Sequence, residues 1–78
     1  MIDPRGMTFQ SWACQTVPRF MQYGFIPTPQ GEKNWKQWAS YIVGLSQLSA
    51  INPPRPESYK EWRDWAVRFN GSVVALGL

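Results

Sequence analysis

The chain has 78 residues, enough for one domain with a thin core. With no histidine and one cysteine it can build neither an intrachain disulfide nor a zinc-finger spacing, and five carboxylates and one thiol leave little for acid–base or nucleophilic chemistry. Its net charge of +3 lacks the clustering of a nucleic-acid binder, and 17% charged beside 15% aromatic residues points to a surface shared with another protein.

From the N-terminus, Met1 to Gly6 carries an early acid, Asp3, and Pro4 where a cleaved signal would be basic and then apolar. The expectation is synthesis in the cytoplasm without such a signal. The first helical unit is expected over about residues 6–23. Phe9, Trp12, Ala13 and Thr16 share a helical face, with Val17 and Phe20 beyond. Pro18 removes one backbone donor and predicts an end or kink near Thr16. Cys14, with no histidine to activate it, reads as a small buried hydrophobe.

The segment Gly24–Pro29 is proline-rich and predicts a stiff, extended linker, with Ile26 available to pin it to a helix. The second unit is expected over 31–48, with Trp35, Trp38, Ala39 and Ile42 on one face and Leu45 and Leu48 extending it. Gly44 inside it costs about 1 kcal/mol relative to alanine and suggests a close backbone crossing. A second stiff linker, Ile51–Pro56, leads to the third unit over 58–70. There Trp62, Trp65, Ala66 and Phe69 form the face, Ser58 and Glu61 the spacing of a capping box, and Asn70-Gly71 the stop. The apolar tail 71–78 reads as a short helix, a packed extension or a strand added to a partner's sheet. No apolar stretch approaches the ~20 residues of a membrane helix.

The units repeat. Pro29 is followed at offsets 6, 9, 10 and 15 by Trp35, Trp38, Ala39 and Gly44, and Pro56 at the same offsets by Trp62, Trp65, Ala66 and Gly71. A period of about 27 residues marks one supersecondary unit per repeat. The first copy keeps Phe9, Trp12 and Ala13, but has Pro18 in place of glycine and no preceding proline at the matching offset. The expected architecture is all-α, a single domain of three short helices joined by proline-rich linkers.

Five tryptophans of about 150–250 Å² each exceed what three short helices can cover, so part of their ring area is expected at the surface. Those rings are the expected docking anchors: Trp35, Trp38, Trp62, Trp65 and Phe69, flanked by Arg63 and Arg68. Glu61 and Asp64 lie three apart on one helix, but they suit the start of that helix better than a catalytic pair. The expectation is therefore no enzyme activity, no cofactor, no metal and no small-molecule substrate. Nucleic acid is the lesser alternative, because Lys33, Lys36, Lys60, Arg63 and Arg68 alternate with acids and make no basic stripe. Membrane binding is not expected. A sugar-binding reading finds no acidic or amide cluster to orient hydroxyls.

The segments Asn34-Trp35-Lys36-Gln37-Trp38-Ala39 and Glu61-Trp62-Arg63-Asp64-Trp65-Ala66-Val67-Arg68-Phe69, each after a proline-rich stretch, resemble the aromatic-x-x-Trp-Ala helices of small structural proteins of tailed bacteriophages. The resemblance covers residues 25–70. It implies a non-enzymatic virion protein that drapes over larger shell proteins, whether connector, tail, fibre or major capsid protein, in several copies per particle. The alternative is a phage-encoded cytoplasmic protein that inhibits a host enzyme with the same helices.

Overall fold

The computed structural model describes residues 2–77, with Ser46 and Gln47 described through their backbone alone. It is all-α: among the described residues there are four helices and no strand. Helix α1 spans Phe9–Phe20, α2 Trp35–Val43, α3 Ser46–Ala50 and α4 Trp62–Val73. Single 3-10 turns stand at Met21–Tyr23, Glu32–Asn34, Pro56–Ser58 and Val74–Leu76.

Helix α1 starts where the Thr8 side chain accepts the Ser11 amide, a conventional N-cap. It runs through Pro18 to Phe20 and does not stop at Thr16. The proline deprives the Cys14 carbonyl of its helical donor, but Pro18 and Cys14 are both exposed and water can serve that carbonyl. Continuing the helix seats Phe20 in the core, fully buried. Cys14 is thus a solvent-facing thiol on the polar side of α1, contrary to its expected burial.

The expected second helix is two. Gly44 caps α2 through its amide to the Tyr41 carbonyl, Leu45 takes an extended conformation, and α3 restarts at Ser46. Gly44 marks a helix end and not a backbone crossing: a Cβ placed there would meet only carbonyls of its own helix. The break lets Leu45 and Leu48 both turn inward.

The third unit is shifted. Pro56 opens a 3-10 turn, Tyr59 is extended, and α4 begins at Trp62 with Glu61 at the N-cap and no side-chain cap bond. Ser58 and Glu61 therefore form no capping box. At its far end α4 overruns Asn70-Gly71 and reaches Val73. The glycine costs about 1 kcal/mol, while full burial of Val73 returns about 1.5–3 kcal/mol, so burial wins. The helical run ends at Gly77, which caps the closing turn with a left-handed φ of 78°. Of the tail 71–78, residues up to Leu76 complete α4 and its closing turn, and Leu78 lies outside the described residues.

The helices close around one core. Trp12 sits at its centre, with ring centroids 6.0 Å from Trp38, 5.9 Å from Trp62 and 6.0 Å from Trp65. Phe9 meets Trp38 and Trp62 edge-on, Trp35 lies 5.9 Å from Trp65, and Trp65 stacks on Phe69 at 4.9 Å. Aromatic pairs of this kind add about 0.5–1.5 kcal/mol beyond the area they bury. The radius of gyration is 11.1 Å, against about 11.5 Å expected for a compact domain of this length. The chain is a block and not a strap that drapes over a larger surface.

Candidate functional site

The three units share a clasp. The tryptophan of each aromatic-x-x-Trp-Ala motif donates its indole Nε1–H to the carbonyl two residues before a buried proline. Trp38 reaches Pro27 at 3.1 Å ahead of Pro29, and Trp65 reaches Pro54 at 2.9 Å ahead of Pro56. In the first unit Trp12 reaches Ile2 at 3.0 Å ahead of Pro4. Pro4 thus fills the role that the sequence left vacant in this copy, with one residue fewer before the helix. Each clasp satisfies both an indole inside an apolar core and a linker carbonyl.

Further ties lock the units together. The Ile2 carbonyl also accepts the Asn70 side-chain amide at 2.9 Å. The Trp62 indole donates to the Glu32 carboxylate at 3.1 Å. Asp3 and Arg5 form a forked ion pair at the surface, and the guanidinium's hydrogen bonds hold the Asp3 carboxyl below its ordinary range.

This packing corrects the expected exposure of the indoles. Trp35, Trp38, Trp62, Trp65 and Phe69 are all buried, the most exposed being Trp35 at 6%. The rings cover one another across units, so a small bundle holds all five tryptophans. The two arginines differ. Arg63 stacks 4.8 Å from the centroid of the Trp62 ring and donates to the Met7 carbonyl at 2.7 Å, which makes it a tie between α4 and the N-terminal segment. Arg68 is exposed beside Tyr59 and Val67.

Two surface features had no place in the sequence reading. The first is Phe25, 80% exposed, with Met21 at 62% four residues earlier. The linker that carries Phe25 is held on both sides. Gly24, with φ of 149°, lies so close to Leu45 that an added Cβ would fall 2.8 Å from its Cδ2. Ile26 packs on the core and the Pro27 carbonyl is clasped by Trp38. Phe25 therefore projects from a fixed backbone.

The second is a shallow groove of about 160 Å³ between the first linker and α2. It is lined by the less exposed Pro27 and Trp38 together with the exposed Thr28, Gln30, Asn34, Gln37 and Tyr41. No charged side chain lines it. Among the described residues, no group of three His, Cys, Asp or Glu side chains is placed to hold a metal ion, and no helix is long and apolar enough to cross a membrane. Compared with known protein families, curated proteins and solved structures, the chain has no significant match.

Proposed function

We propose that the chain is a non-enzymatic structural adaptor of a tailed-phage particle, a rigid block that docks onto a larger connector, tail, fibre or capsid protein. Burial of the indoles removes them as anchors, so the support lies elsewhere. The phage-like aromatic-x-x-Trp-Ala segments give the setting, and the fixed, projecting Phe25 is the observation that carries the reading. The core is complete without Phe25, and its linker is already ordered, so docking it costs little conformational entropy. Burying one such ring contributes about 1.5–3 kcal/mol. One anchor of that size, with the exposed Met21 four residues before it, gives a weak single contact. Several copies on a symmetric particle raise it to a stable one.

Mass spectrometry of purified particles tests the role. The chain is expected at a fixed, symmetric copy number, and Phe25→Ser is expected to abolish incorporation while leaving stability within about 0.5 kcal/mol of wild type. Recovery of the chain free in the lysate, or bound to one host enzyme, would instead identify an inhibitor of host metabolism.

A further inference from the structure

The geometry points to the groove beside Trp38 as a binding site for a neutral carbohydrate. This inference is independent of the particle role.

Contrary to the sequence expectation, the fold does assemble an amide cluster, by laying the first linker against α2, and its chemistry selects the ligand class. Gln30, Asn34 and Gln37 each offer a carbonyl acceptor and two N–H donors on one small plane, which suits hydroxyl groups that both donate and accept. The Thr28 hydroxyl and Tyr41 phenol add two more groups of the same dual kind. Among the described residues, none of these five side chains is hydrogen-bonded to another protein group, so their capacity is open to a ligand. Tyr41 is half exposed, which leaves ring area free to meet the C–H groups of a sugar. With no cation in the lining, the groove has nothing to hold a phosphate or a carboxylate. With Tyr41 the one exposed aromatic in it, the groove lacks the paired ridges that grip a proline-rich peptide.

Size and rigidity agree. A volume of about 160 Å³ is below the ~300–1,000 Å³ of sites for drug-sized ligands. It suits a single sugar ring, with a longer chain running out into solvent. The groove's two sides are held together, because the Trp38–Pro27 clasp ties the linker to α2.

The repeat supplies an internal control. At the offsets of Thr28, Gln30, Asn34, Gln37 and Tyr41, the third unit has Arg55, Glu57, Glu61, Asp64 and Arg68. Its clasp forms all the same, at 2.9 Å. The fold therefore accepts charge at these offsets, and the uncharged amide set of the second unit is not a requirement of folding.

The test is a titration of the full ¹⁵N-labelled chain, followed by its side-chain amide and indole signals. The probes are glucose, galactose, mannose, N-acetylglucosamine and their linear oligomers, with a proline-rich peptide as comparison. At least one sugar is expected to give saturable shifts at Gln30, Asn34, Gln37 and the Trp38 indole, with a Kd of about 1 mM or tighter. Tyr41→Ala and Gln37→Ala are each expected to weaken it about tenfold, with the Trp38 indole signal in place as a sign of the fold. Gln30→Ala, on the linker side, serves where a helix variant loses that signal. Absence of saturable shifts with every sugar, shifts indifferent to all three variants, or saturation by the peptide alone would overturn the assignment.

Discussion

Thr16 is a polar residue where the fold asks for an apolar one. It holds the position that Ile42 and Phe69 hold in the other units, fully buried, and its hydroxyl has no partner among the described residues. An orphaned hydroxyl in a core costs about 1–3 kcal/mol. Thr16→Val keeps the shape and removes the orphan, so it is expected to stabilise the protein by about 1 kcal/mol and raise Tm by about 4–8 °C in a calorimetric scan. A fall in Tm would mean that water or strain already serves that oxygen. Arg63 teaches the opposite lesson. As a flanking charge it looked available for a partner, but its guanidinium is spent on the Met7 carbonyl and the Trp62 ring.

At the scale of elements, the clasps explain why each unit keeps a proline and the tryptophan of its aromatic-x-x-Trp-Ala motif. Phenylalanine at Trp38 or Trp65 keeps a ring in the core but leaves the Pro27 or Pro54 carbonyl without its donor. Each substitution is expected to cost about 1–3 kcal/mol. Trp35→Phe, at a position whose indole bonds no protein group among the described residues, is expected to cost less. Urea midpoints of the three variants check the order, and an equal or larger loss in Trp35→Phe would remove the clasp from the account of stability. The existence of the helices was legible in the spacing of aromatics, since Phe9/Trp12, Trp35/Trp38 and Trp62/Trp65 all mark buried faces. Their ends were not. Propensity rules stop α1 at Pro18 and α4 at Gly71, yet burial of Phe20 and Val73 outweighs the local cost. The amide groove was not legible, since no amide cluster shows along the chain. Its residues differ in charge from the matching offsets of the third unit, but their convergence needs the linker folded back onto α2.

For the whole molecule, five indoles fit inside three short units because the rings cover one another and need little further area from the helices. Trp12 shows this, being covered on several sides by Trp38, Trp62, Trp65 and Phe69. With every unit sharing that ring cluster, no unit has a core of its own. The isolated chain is expected to unfold in one cooperative step, with an enthalpy of about 55 kcal/mol at Tm. A broad transition, or one resolved into separate steps, would show that the units are ordered singly and gain their packing elsewhere.

The same ring cluster gives the protein an optical signature. Indoles whose centroids lie about 6 Å apart exchange excitation energy and couple their transition dipoles. Light absorbed by one of them is expected to be shared among the others, and emission to lie at the shorter ultraviolet wavelengths of dry surroundings. Fluorescence of this chain is therefore expected to report on its shared interior more than on any one helix.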